Sequence, residues 1–130
     1  MKKILALFLI MSALVFMGAT QVSNRMWKDT ATGSGAVSST VAPGVAWRID
    51  SVRIHLSAAG GAGDLTATID AGAGSAYDVV ILTQDMTSVT DFVWFPDRDL
   101  IFTSTDELDI AWANGSSRTY GLEVYYVKLN

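Results

Sequence analysis

The chain predicts an all-β fold, a two-sheet antiparallel β-sandwich of jelly-roll-like strand number preceded by an N-terminal hydrophobic helix or signal segment. Beyond residue 35 the apolar residues recur with period two and never sustain a helical period. Turn chemistry breaks this alternation at close, regular spacing, leaving about eight or nine short strands. The connections are too short to hold the helices that an α/β fold needs between its strands.

Lys2 and Lys3 precede an apolar run over residues 4–16, which fades into Met17-Gly18-Ala19-Thr20. A positive stretch, an apolar stretch and a small-residue exit form the layout of a secretory signal. The run is shorter than the roughly 20 apolar residues of a membrane-spanning helix. Residues 1–20 are therefore expected to be a signal peptide cut after Ala19, although Met17 is bulky for its place in such a site. If retained, they become a hydrophobic anchor or assembly stem, helical over residues 4–17. Residues 21–35 are polar and small, carry only Met26 and Trp27 as large apolar residues, and end in Gly33-Ser34-Gly35. They are expected to form a flexible lead-in. The sandwich domain is expected over residues 36–130.

The first expected strand, residues 36–41, ends at Ala42-Pro43-Gly44-Val45, with Pro and Gly at the two centres of a type II turn. The run 45–57 follows. Its apolar residues change parity, from Val45, Trp47 and Ile49 to Val52, Ile54 and Leu56. One face stays buried through that change only if a residue is inserted, so a bulge or sharp bend is expected at Asp50-Ser51. A small-residue loop over 58–63 leads to Leu65, Ala67 and Ile69, which alternate with Thr66 and Thr68 as a strand with one wet face. Residues 77–83 and 89–95 are apolar nearly throughout and are expected to be central strands covered on both faces. Pro96-Asp97 stops the second of these, and residues 100–102 add a short strand. Leu108, Ile110 and Trp112 alternate over 107–113. Asn114-Gly115 then turns the chain into a last strand over 118–128, with Tyr120, Leu122, Val124 and Tyr126 on one face.

Composition narrows the function classes. The 130 residues, 111 after a cut at Ala19 (130 − 19), make one domain. The chain contains no cysteine, which removes disulfides, thiolate metal sites, a cysteine nucleophile and a lipidated cysteine. The net charge is −4, and loss of Lys2 and Lys3 takes it to about −6. Without a Lys/Arg cluster, nucleic acid is not an expected partner.

The candidate sites are few. The clusters Gly60-Gly61-Ala62-Gly63 and Gly72-Ala73-Gly74 lead into strands with no lysine near, unlike phosphate-binding loops, and are expected to be tight connections. His55 is the sole histidine, and its side chain points opposite those of Ile54 and Leu56. It lacks the companions of a triad or a zinc site. Asp97, Asp99, Asp106 and Asp109 lie at strand ends and are the candidate calcium ligands, although no EF-hand spacing is present and turn capping explains them more simply. Most of the tryptophans and tyrosines sit at alternating strand positions suited to core packing. Trp27 and Tyr125 are the expected exposed pair, the residues available to a glycan or a partner. No cofactor and no catalytic residue is expected.

The stretch Ala42-Pro43-Gly44-Val45-Ala46-Trp47-Arg48-Ile49-Asp50-Ser51-Val52-Arg53 resembles a strand region recurring in small β-sandwich accessory proteins of tailed bacteriophages. Ala76-Tyr77-Asp78-Val79-Val80, Asp106-Glu107-Leu108-Asp109-Ile110-Ala111-Trp112 and Arg118-Thr119-Tyr120-Gly121-Leu122-Glu123-Val124 are similar to the same group. The resemblance implies a virion decoration, collar or tail-associated module that docks on itself or on capsid or tail proteins. An export-like N-terminus departs from that group. It leaves open an exported, periplasmic or extracellular, cell-envelope module that binds carbohydrate or a surface. Contact with membrane is expected only through residues 1–20, if they are retained.

Overall fold

The computed structural model describes residues 25–129. The expected signal or anchor over 1–20 and the first residues of the lead-in lie outside them. Among the described residues nine strands run in chain order: β1 Met26–Gly33, β2 Val37–Val41, β3 Trp47–Leu56, β4 Asp64–Asp70, β5 Val79–Asp85, β6 Asp91–Trp94, β7 Ile101–Phe102, β8 Glu107–Trp112 and β9 Tyr120–Lys128. Among the described residues the only helix is a single 3-10 turn, Ser75–Tyr77. One sheet has the order β1-β9-β3-β6, with β7 also on β3; the other has the order β2-β8-β4-β5. Every pairing is antiparallel.

Alternation builds the core. Trp47, Ile49, Val52, Ile54, Leu56, Leu122 and Val124 of the first sheet face Val37, Val41, Leu65, Leu108, Ile110 and Trp112 of the second in one buried cluster. Trp47 anchors one end, stacked on Phe102 at 4.2 Å between ring centroids and met edge-on by Tyr126 at 5.6 Å. Offset stacking and edge contact are the favoured aromatic geometries, and they add to the area these rings bury.

The parity change in β3 is resolved by a bulge. Ile49 pairs with Tyr126 and Ser51 with Tyr125, so Asp50 is the extra residue. Val52, Ile54 and Leu56 are thereby returned to the core face. Gly44 adopts φ +70°, as the second centre of a type II turn requires.

Three expectations need correction. Residues 26–33, assigned to the flexible lead-in, form β1, which pairs with β9 along its whole length from Met26↔Val127 to Gly33↔Tyr120. β1 is an edge strand held by its backbone ladder, with Ala31 packed against the core, so its composition carries little strand signal. Residues 77–83 do not form a central strand: β5 is the edge of its sheet, with Val79 52% and Val80 54% exposed. Residues 89–95 likewise supply only the short edge strand β6, where Phe92 and Trp94 reach the core and Val93 faces solvent, as does Phe95 just after it. An unbroken apolar run has the same appearance whether both faces are covered by protein or one of them is left for a partner.

Candidate functional site

Two surfaces gather the chemistry. The first is the outward face of the five-stranded sheet. The register places Thr30 and Thr32 of β1 beside Glu123 and Gly121 of β9, these beside Arg53 and His55 of β3, and these beside Val93 and Asp91 of β6. Together they border a groove of about 520 Å³. Lys28 donates to Glu123 Oε1 at 2.8 Å and the Tyr125 hydroxyl donates to Oε2 at 3.0 Å. These bonds, with the Lys28 charge, hold the Glu123 carboxyl below its ordinary range and the Lys28 ammonium above its own. Arg53 lies over the Tyr125 ring at 4.6 Å.

His55 Nδ1 is 2.7 Å from Asp91 Oδ1. That hydrogen bond depresses the Asp91 carboxyl, and since a carboxylate only accepts, Nδ1 carries the hydrogen. The sequence identified His55 but not this partner, because the pairing depends on the β3–β6 register across 36 residues. Both groups are well exposed, so water screens the pair and its contribution to stability is small.

The second surface is the side of the sandwich where β5 of one sheet approaches β6 and the β6–β7 loop of the other. Val79, Val80, Trp94, Pro96 and Leu100 line a cleft of about 270 Å³ there, with Asp97 and Arg98 also bordering it. Tyr77, 66% exposed, precedes the cleft's first strand, and exposed Phe95 lies between two of its lining residues. None of these was singled out from the sequence as a contact residue. The missed signal was the apolar run itself, assigned to a buried strand.

The expected site residues disperse. Trp27 pairs with Tyr126 and so has core-facing parity at the rim of the sandwich, 41% exposed, with Lys128 Nζ 4.4 Å above its ring. Tyr125 points outward, so the two aromatics form no common platform, and each has a cation over one ring face. Asp99 pairs with Arg48 at 2.7 Å. Asp106 accepts from Thr103 N at 2.8 Å and Gly72 N at 3.0 Å, and these amides pull its carboxyl below the usual range. Asp109 accepts from Thr40 Oγ1, and Asp97 stands beside the apolar cleft. Among the described residues no three His, Asp or Glu side chains converge as a metal site would require.

The glycine loops are close connections. A Cβ on Gly72 would lie 2.3 Å from Thr105 Oγ1 and 2.6 Å from Thr105 O, so the β4–β5 loop touches the β7–β8 loop only with glycine there. No helix among the described residues is long and apolar enough to cross a membrane. Comparison with family models and with curated proteins found no match to this chain.

Proposed function

We propose that this chain is a non-enzymatic structural module that docks on a repeated protein surface, as a virion accessory of the tailed-phage kind does. The observation that carries the reading is the apolar side formed by Tyr77, Val79, Val80 and the cleft beside them. Large apolar side chains grouped on one surface mark a contact with another protein. Ile81 is the extra residue of a bulge, because Ala67 pairs with Leu82 and Thr68 with Val80. The bulge bends the β5 edge away from simple strand addition, so the contact is made by side chains entering the cleft.

The sheet orders β1-β9-β3-β6 and β2-β8-β4-β5 support a jelly-roll reading if β6 and β7 count as one interrupted strand. Jelly rolls serve capsid and lectin proteins alike, so this likeness is an analogy of fold and does not choose between them. The rival, an exported carbohydrate-binding module resting on Trp27 and Tyr125, loses support from their opposite orientations. A virion or exported location remains tied to residues 1–20.

Size-exclusion with light scattering, on the protein alone and mixed with capsid, tail or envelope proteins, tests the docking. Association is expected, and Val80→Lys is expected to weaken it at least tenfold while leaving the β-type circular dichroism spectrum unchanged. A strict monomer that binds none of these components, or an unaffected Val80→Lys variant, overturns the reading.

A further inference from the structure

We propose that the groove on the outward face of the five-stranded sheet binds a neutral, polyhydroxylated ligand, a glycan segment, seated over Gly121. Gly121 lies in the interior of β9, where the ladder to both neighbours is unbroken: Thr32↔Gly121 on one side and His55↔Gly121 on the other. A glycine inside a strand weakens it, and usually marks a bulge, a bend or the close approach of a ligand or another backbone. No bulge occurs there, its φ is not positive, and a Cβ built on it would meet nothing within 4 Å. The fold therefore gives no reason for the missing side chain, whereas the groove above it does. A Cβ at that position would occupy part of the 520 Å³ space, whose volume lies in the range of small-molecule sites.

The groove's charges choose the ligand class. Asp91 accepts a hydrogen bond from His55, and Glu123 is paired with Lys28. Arg53 makes no ion pair among the described residues; it borders the groove, and its guanidinium lies over the Tyr125 ring. An anion would meet two carboxylates and a cation would meet Arg53, so neither is favoured. A sugar hydroxyl both donates and accepts, and so suits a border that includes donors from Arg53, Thr30 and Thr32 and acceptors from Asp91 and Glu123. Its C–H face can rest on bare Gly121 and exposed Val93. This surface lies apart from the β5 cleft, so the inference is independent of the docking reading.

A glycan array followed by calorimetric titration of the hits on the full chain tests this, with sialylated oligosaccharides and inorganic phosphate as charged probes. Saturable binding of a neutral oligosaccharide is expected, weakened at least tenfold by Gly121→Val and by Arg53→Ala and unchanged by Val80→Lys. Gly121→Val introduces its side chain into open space, so its melting temperature should match or exceed that of the parent. If it does not fold, amide chemical-shift changes on adding the sugar to the parent protein decide, and they must centre on Gly121, Arg53 and Val93. Absence of any neutral ligand, binding of the charged probes alone, shifts centred elsewhere, or full binding by folded Gly121→Val would each overturn the proposal.

Discussion

Asn114 holds the turn before the last strand in a conformation few residues adopt, at φ +47° and almost fully buried. Its amide nitrogen lies 2.8 Å from the carbonyls of Gly35 and Arg118 and 3.2 Å from that of Ser34, and its oxygen accepts from Arg118 N. One side chain thus joins the β8–β9 turn to the β1–β2 connection, which the sequence marks as a flexible Gly-Ser-Gly joint. Asn114→Ala should cost about 2–3 kcal/mol, from unsatisfied buried carbonyls and a strained backbone. Asn114→Gly loses the same amide but accepts the positive φ without strain, and should cost about 1–2 kcal/mol. Urea melts of both check the difference, and a glycine variant as stable as the parent would leave the amide no structural role. Asp106 acts similarly at the other end, where it accepts two backbone amides. Its carboxyl is depressed in the folded state, chiefly by the Thr103 amide, so its stabilisation is present above the unfolded value of about 3.9. That stabilisation is lost as pH falls through the lower folded value. Melting temperatures taken from about pH 6 to about pH 2 should therefore fall less steeply for Asp106→Asn than for the parent.

Strands were legible where one face is buried and the other wet. β8 and β9 appear as expected because Leu108, Ile110 and Trp112, then Tyr120, Leu122, Val124 and Tyr126, all face the core. The β3 bulge was legible for the same reason, since two apolar triplets of opposite parity cannot share a face without an inserted residue. Deleting Asp50 should therefore prevent native folding, because either Trp47 and Ile49 or Val52, Ile54 and Leu56 must turn outward. Asp50→Ala keeps the inserted residue and should fold, losing about 1–3 kcal/mol because the buried Ser51 hydroxyl loses its acceptor, and near-ultraviolet circular dichroism of the two variants compares them directly. A deletion variant with native spectra would show that the bulge does not set the register. The edge strands were not legible. β5 and β6 have the composition of covered strands, and only the sheet order reveals that each lies at an edge. The groove over Gly121 was equally hidden, because its residues come from four strands and meet only through register.

At the scale of the molecule, the ends of the described chain meet: β9 lies between β1 and β3, with Met26 opposite Val127. Nothing local in the sequence encodes that closure, since β1 is polar and its partner lies at the far end of the domain. Such long-range pairing is slow to form, because loop-closure entropy must be overcome before the contacts reward it. The placement of β1 also distinguishes a lead-in from a structural strand by experiment. A flexible lead-in can be removed without effect on the sandwich, whereas removal of β1 strips one side of β9 of its ladder and uncovers the rim beside Tyr120, Leu122 and Tyr126. An open edge over a bared core favours association and local unfolding. Chains starting at residue 25 and at residue 35 should therefore behave differently. The first should melt cooperatively at the temperature of the full domain. The second should melt far lower or aggregate, with amide exchange in β9 accelerated to the rate of global opening. Equal melting temperatures for the two would return residues 26–33 to the role of a lead-in and move the start of the sandwich to β2.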